Sequence, residues 1–570
     1  MAKWWQEAVI YQIYPRSFND FNGDGIGDIP GIIAKADYLE SLGVDVVWLS
    51  PIFESPNQDM GYDISDYYRV MPEFGKMADF DQLLEALHSR NIKVILDLVV
   101  NHTSDEHYWF RQARRSRDNP FRDFYHWWPA EKGPPPKRHS FFDENSNAWA
   151  YDAKTDAYYL HLFSKHQPDL NWDNKAVRQR IYQMMHFWLL KGVDGFRMDV
   201  ISYISKDNTY PEPPQDIHES SWEAYHASGP NLEIYLHEMK REVLCKYDIV
   251  TLAEAPGLGP EDISRIVDKN DGAFNLAYHF DHTNIGLLPR KLIEADRPSL
   301  LELKNVYDRW IKALSKSGWG TTYFGNHDQP RMVTRWGNDR PEWREKSSKL
   351  LNTFLLTMPG TPLCYQGDEI AMSNIKFERI CQYRDLETIN WFHQIKSEGG
   401  DTQGFLEAHK IVARDNGRTP MQWDDREHGG FSETQPWISS NPDHATVNVA
   451  AQEQAPDGGL EFFKRLVRLR KSQPALRIGS FQWWQKEHTS LFGFIRSYGS
   501  TEILVLLNFS DNPISMMLDE PMQVQSTLST NDDHFPIQRL ELSLKPWQAW
   551  VGTLAPNPPV IDRDAIQAQN

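Results

Sequence analysis

The sequence predicts an α/β protein built on a (β/α)8 TIM barrel, with a subdomain inserted after the third strand and a C-terminal antiparallel β domain. Three observations carry that reading. Eight short apolar, β-rich runs alternate with stretches of helical periodicity, and such runs between helices point to a parallel sheet covered by helices. Eight units favour a closed barrel over an open doubly wound sheet. After about residue 480 the pattern changes to short alternating runs, "SLFGFIRSY", "TEILVLLNFS" and "QAWVGTL", which read as antiparallel strands.

The strand candidates, in order, are "AVIYQIYP" (8–15), "VDVVWLSP" (44–51), "IKVILDLVV" (92–100), "VDGFRMDV" (193–200) and "YDIVTLAEA" (247–255). "GAFNLAYHF" (272–280), "GTTYFGNHD" (320–328) and "GTPLCYQGD" (360–368) complete the set. Between them, "DFDQLLEALHSRN" (79–91) and "RQRIYQMMHFWLLKG" (178–192) repeat apolar residues at helical spacing. The third and fourth strands start about 100 residues apart, more than an ordinary βα loop absorbs. An insertion is therefore expected at 104–172, leaving 1–103 and 173–479 for the barrel and 480–570 for the β domain. The last 15 residues read as a poorly ordered tail.

The formal charge of −19 argues against nucleic acid or an anionic membrane surface as partner. Three cysteines without a CxxC pair fit a reducing compartment. The N-terminus shows no signal-peptide pattern, and no apolar run is long enough to span a bilayer. A cytoplasmic protein is expected, a monomer or weak homo-oligomer.

Polar residues gather at the expected strand ends. Arg197 and Asp199 lie two apart and share a face of their strand. Alone they read as a buried ion pair. The other strand ends carry Asp97, Asn101 and His102; Glu254; and Asn326, His327 and Asp328. In a barrel these ends converge on one face, and crowded carboxylates raise at least one pKa, as acid/base chemistry requires. Two carboxylates flanking a scissile bond equip a retaining glycosidase. On this reading Asp199 is the nucleophile, kept ionised by Arg197. Glu254 is the acid/base, raised by burial and neighbouring charge. Asp328 grips substrate hydroxyls and stabilises the oxocarbenium-like charge.

"DLVVNH" (97–102), "GFRMDV" (195–200), "LAEA" (252–255) and "FGNHD" (324–328) resemble the four ordered regions of the α-amylase family of glycoside hydrolases. The similarity covers nearly the whole chain. It implies the same roles for Asp199, Glu254 and Asp328, and contacts to the first glucose, or to the nucleophile, from His102, Arg197 and His327. "GYDISDY" (61–67) supplies Tyr62, similar to the residue that stacks on that glucose, and Asp63, similar to one binding its outer hydroxyls. "ARDNGRTPMQWDD" (413–425) supplies Arg418, which in such enzymes pairs with the "GYD" aspartate and closes the pocket. Phe163 is counted with these substrate contacts.

"QPDLNW" (167–172) resembles the signature of the oligo-1,6-glucosidase group, which includes α-glucosidases and sucrose isomerases. Val200 matches the residue of members acting on α-1,6 links. A branched side chain at the pocket edge restricts the leaving sugar, and such discrimination needs only about 1–3 kcal/mol. The loop at 206–236 is Pro-rich near its start and Glu233 stands where relatives often have His, which touches specificity on the leaving-group side. "QYRDLET" (382–388) does not resemble the Arg/Asp-rich loop of sucrose isomerases.

"NDFNGDGIGD" (19–28) places Asp20, Asn22, Asp24 and Asp28 on a Gly-rich loop, with the Ile26 carbonyl available. Hard oxygen donors at alternating positions suit Ca²⁺, with Mg²⁺ possible, though Asp/Asn/Gly loops are also ordinary turns. The resemblance implies a structural Ca²⁺ site here, far from the carboxylates. No zinc spacing, P-loop or dinucleotide fingerprint occurs. The function expected is a retaining exo-acting α-glucosidase releasing glucose from the non-reducing end of short α-gluco-oligosaccharides, with α-1,6 links preferred. The alternatives are α-glucosyl transfer or sucrose isomerisation by the same double displacement, another linkage preference (α-1,4 or α-1,3), and, least favoured, a non-catalytic transporter-partner subunit.

Overall fold

The computed structural model describes residues 2–142, 147–214, 222–294 and 297–555. The expected tail lies outside the described residues, as does part of the 206–236 loop. Eight parallel strands form the central sheet: β1 (Ile10–Ile13), β2 (Val46–Leu49), β3 (Lys93–Val99), β4 (Gly195–Asp199), β5 (Val250–Glu254), β6 (Leu276–Tyr278), β7 (Thr321–Thr322) and β8 (Thr361–Tyr365). Each pairs with its sequence neighbour from β1 to β6, and β8 pairs with both β1 and β7. The ring closes through one parallel bridge between Ala277 and Gly320, beside a 3.2 Å bond from Thr321 Oγ1 to the Ala277 carbonyl.

Alternate residues of these strands fill the barrel interior. Ile10, Val46, Trp48, Ile95, Val250, Leu252, Leu276 and Leu363 form one buried cluster, so the barrel is a packed core. The opposite strand faces join the helices in a second, larger cluster. Gly195 opens β4 at φ 150°, and a Cβ there would lie 1.8 Å from the Val250 carbonyl oxygen. Only glycine admits so close a neighbouring strand. The seventh strand is shorter than the apolar run suggests. Asn326 Oδ1 accepts the Asp328 N–H at 2.7 Å, so this part of the chain turns where a ladder would continue. His327 and Asp328 therefore ride on a loop past the strand, not on its end.

Between β3 and β4 lies an antiparallel three-stranded sheet, Trp127–Pro129, Ala157–Leu160 and Trp149–Asp152. It is tied back to the barrel rim by a bridge from His102 to Asp169 and by the Leu170 N–H, which donates to the Asn101 carbonyl at 2.9 Å. Past the barrel, β9 (Ser480–Trp484), β10 (Leu491–Tyr498) and β11 (Thr501–Asn508) continue through Ala549–Leu554 to Val524–Thr530 in a five-stranded antiparallel sheet. No described helix is long and apolar enough to cross a membrane.

Candidate active site

The parallel register brings the strand-end charges together. Asp97 on β3 lies opposite Arg197 on β4, and Glu254 on β5 lies opposite Tyr278 on β6. Arg197 is fully buried. Its Nη1 donates at 2.7 Å to Asp97 Oδ1 and at 2.7 Å to Asp199 Oδ1. Its Nη2 pairs with Glu254 Oε1 at 2.5 Å. One guanidinium thus meets three carboxyl groups, which draws Asp97, Asp199 and Glu254 together.

The sequence expectation that Arg197 holds Asp199 low is corrected, because Arg197 is not the only influence on it and the net direction is upward. Burial pushes Asp199 well above the usual carboxylate range; Arg197 pulls it down, but Glu254 and Asp97 push it further up. Two adjacent buried carboxyls beside one cation favour holding one proton between them. A proton-sharing pair of this kind allows one group to attack while the other protonates a leaving oxygen.

A stacked pair covers this floor. Tyr62 lies parallel to His327 with ring centroids 5.2 Å apart. The Tyr62 hydroxyl donates to Asp97 Oδ2 at 2.9 Å and bonds to His327 Nε2 at 2.5 Å. His327 Nε2 also lies 3.1 Å from Asp328 Oδ2, while Gln12 Nε2 donates to His327 Nδ1 at 2.8 Å. Burial pushes Asp328 up, but His327, Arg414 and Arg418 outweigh it and leave this carboxyl well below the usual range. Asp328 therefore stays an anion across ordinary pH. His102 is buried against the Tyr62 carbonyl and Gln167, and burial lowers it to about 4, so it is a neutral imidazole.

The expected pairing of Arg418 with Asp63 is not what the structure contains. Arg418 donates to Asp328 Oδ1 at 2.8 Å and to the His327 carbonyl at 2.8 Å. Asp63 is fully buried and accepts Ser55 Oγ and the N–H groups of Gln58 and Asp59. Both Asp63 oxygens are thus engaged by its own loop. Asp59 takes the position facing the cations. Burial raises it to about 7 against the pull of Arg414 and Arg418, and Gln167 Nε2 donates to it at 2.9 Å.

Asp59 and Arg414 were missed by sequence reasoning. Arg414 Nη1 reaches Asp328 Oδ1 at 3.0 Å, and its other nitrogens are braced by Asp385. Their signal was adjacency, since Asp59 lies three residues before Tyr62 and Arg414 four before Arg418. Phe163, at the rim, packs against His102 and Phe142 at ring distances of 5.2 and 5.3 Å. Val200 sits at φ 35°, ψ 43°, a left-handed conformation that is costly for a β-branched residue. The conformation lets its N–H donate to Glu254 Oε2 at 2.9 Å.

The 19–28 loop is distant in role and held by its own polar groups. Asp20 accepts the N–H groups of Gly23 and Gly25, Asn22 that of Asp24, Asp24 that of Ile26, and Asp28 those of Phe21 and Asn22. Among the described residues no group of three or more His, Cys, Asp or Glu side chains gathers as a metal cluster. The loop's donors are instead a mixed set of carboxylates, an amide oxygen and a carbonyl, and such hard oxygens fit Ca²⁺ chemically.

Comparison with known proteins gives a consistent picture. The model of the alpha-amylase catalytic domain matches residues 12–479. An oligo-1,6-glucosidase of Bacillus cereus is 46% identical over 556 residues, 96% of this chain and 99% of that one. A trehalose-6-phosphate hydrolase of Bacillus subtilis is 39% identical, covering 93% and 94%. The crystal structure of an isomaltulose synthase from Protaminobacter rubrum superposes with a TM-score of 0.94 at 38% identity, over 97% of this chain and 100% of that one.

Proposed function

Since the chain belongs to the alpha-amylase family and is an α-glucosidase, we propose that it is a retaining, exo-acting enzyme that releases glucose from the non-reducing end of short α-glucosides, preferring α-1,6 links such as that of isomaltose. The observation that carries the mechanism is the Asp199–Arg197–Glu254 cluster. Inverting enzymes separate their carboxyls to admit a water, roughly 6.5–9.5 Å apart. Two carboxyls held on the neighbouring Nη1 and Nη2 of one guanidinium lie closer together than that and favour double displacement.

Asp199 attacks the anomeric carbon while Glu254 protonates the leaving oxygen. The glucosyl-enzyme ester then reacts with a water deprotonated by Glu254, which regenerates both groups. Asp328, held as an anion, stabilises positive charge at the anomeric centre. Tyr62, His102, His327, Arg418 and Asp59 surround that glucose. The oligo-1,6-glucosidase relatives and Val200 support the α-1,6 preference. Transfer to a sugar acceptor is the second reading, supported by the isomaltulose synthase neighbour.

Product analysis on isomaltose, maltose, nigerose, kojibiose, sucrose and trehalose tests both. Glucose released fastest from isomaltose is the expected result; new disaccharides would move the assignment to a transferase or isomerase. Asp199→Asn and Glu254→Gln are each expected to lower kcat/KM on isomaltose by several orders of magnitude with folding retained. Near-wild-type turnover in either would sink the role assignments. The loop carrying Asp20, Asn22, Asp24, Ile26 and Asp28 would hold a structural Ca²⁺, which adds fixed positive charge against its carboxylates. Three unpaired cysteines support a cytoplasmic location.

A further inference from the structure

Glu254 has two inequivalent oxygens, and the difference traces to Tyr278. The Tyr278 hydroxyl receives two bonds from Arg197, from Nε at 3.0 Å and from Nη2 at 2.6 Å. Arginine only donates, so the single phenolic hydrogen is left for Glu254 Oε1, 2.8 Å away. Oε1 therefore accepts from Tyr278 while also facing the Arg197 Nη2 at 2.5 Å. Oε2 accepts the Val200 N–H at 2.9 Å.

We propose that Tyr278 is a positioning residue that, together with Arg197, occupies Glu254 Oε1 and so confines the transferable proton to Oε2. A hydrogen on Oε1 would point at two donors, a phenol committed by the arginine and the guanidinium itself. A hydrogen on Oε2 meets no such conflict, because that oxygen can accept the Val200 N–H on one lone pair and aim its own O–H elsewhere. In the first step the Oε2–H bond breaks, the proton passes to the glycosidic oxygen as the C–O bond to glucose cleaves, and Glu254 is left as a carboxylate whose Oε1 charge is carried by Tyr278 and Arg197. In the second step Oε2 takes a proton from the attacking water. Tyr278 touches no reacting atom in this scheme. The strained backbone of Val200 acquires a purpose on the same account, since it places an N–H rather than a competing acceptor beside Oε2.

The proposal rests on Glu254 being the acid/base, so the experiment separates the two. Wild type, Tyr278→Phe and Glu254→Gln are compared on isomaltose, whose leaving sugar needs a proton, and on α-glucosyl fluoride, whose leaving group does not. Phenylalanine keeps the ring contacts with Phe280 and Tyr323, 5.5 and 5.3 Å between centroids. Tyr278→Phe is expected to lose about 10²-fold in kcat/KM on isomaltose and less than tenfold on the fluoride. The ratio between substrates is independent of how much of each preparation is folded. Equal loss on both substrates, or no loss on isomaltose, would overturn the positioning role. Should Glu254→Gln itself lose both substrates equally, the acid/base reading fails and the proposal falls with it.

Discussion

Asp59 illustrates how a single side chain is bent to a purpose at the expense of the fold. Burial holds its carboxyl at about 7, against 3.8 for the free group, even with Arg414 and Arg418 pulling the other way. The fold therefore binds a proton that the unfolded chain releases. Its contribution to stability declines as pH rises from about 4 to about 7 and is flat beyond. Asparagine removes the titration. A tenfold change in an ionisation equilibrium is worth about 1.4 kcal/mol, so Asp59→Asn should gain on the order of 2–4 kcal/mol over wild type above pH 7 and much less near pH 4. Melting curves for both proteins from pH 4 to 8 measure this, and a gain that does not grow with pH would contradict the argument. Weaker binding of glucose should accompany the gain, as expected where a functional group is kept despite its cost.

Among the elements, the helix Arg344–Thr357 shows how the β domain is fastened. Its last carbonyls have no partners within the helix. Arg470 supplies Leu356 and Gly360 at 3.0 and 2.7 Å, and Arg496 on β10 supplies Thr357 at 2.6 Å and Gly479 at 3.0 Å. Both arginines are fully buried. Arg496→Met would strand several buried carbonyls and should cost about 2–5 kcal/mol. A lower melting temperature by calorimetry with unchanged kcat at 25 °C is the expected result; a lost kcat would mean that the β domain shapes the pocket. Neither arginine was legible in the sequence, because a capping role depends on a partner more than 100 residues away. Eight strands, the insertion and the β domain were legible, because apolar runs and their spacing report local periodicity. The strand-end carboxyls were legible for the same reason. The reversed direction at Asp199 and the partner of Arg418 were not, since each is set by packing across strands and loops. Tyr278 carries no such signal in the sequence, because its role depends on the neighbouring strand that puts Glu254 beside its hydroxyl.

At the scale of the whole molecule, three distant segments meet around the strand-end charges: the loop bearing Asp59 and Tyr62, the stretch after the inserted sheet bearing Phe163, and the stretch from Arg414 to Arg418. The last is followed by residues 431–437, which bind directly to the 19–28 loop. Ser432 Oγ donates to Asp20 Oδ2 at 2.6 Å, Thr434 Oγ1 to the Gly23 carbonyl at 2.9 Å, and the Trp437 N–H to the Gly25 carbonyl at 3.0 Å. The proposed Ca²⁺ would therefore stiffen a clamp joining the two ends of the barrel domain while contacting no substrate. Binding to the folded state alone stabilises by about 2.7 kcal/mol at a hundredfold excess over Kd. Chelator-treated enzyme should melt a few degrees lower than enzyme supplied with Ca²⁺, with kcat at 25 °C the same in both. Asp24→Ala, which removes one donor at an exposed position of the loop, should abolish the response to Ca²⁺. A melting temperature indifferent to Ca²⁺ in the stripped wild type would leave the loop as a clamp of hydrogen bonds alone. Loss of kcat on stripping would instead mean that the clamp sets the position of Arg414 and Arg418, and with it the charge that keeps Asp328 an anion.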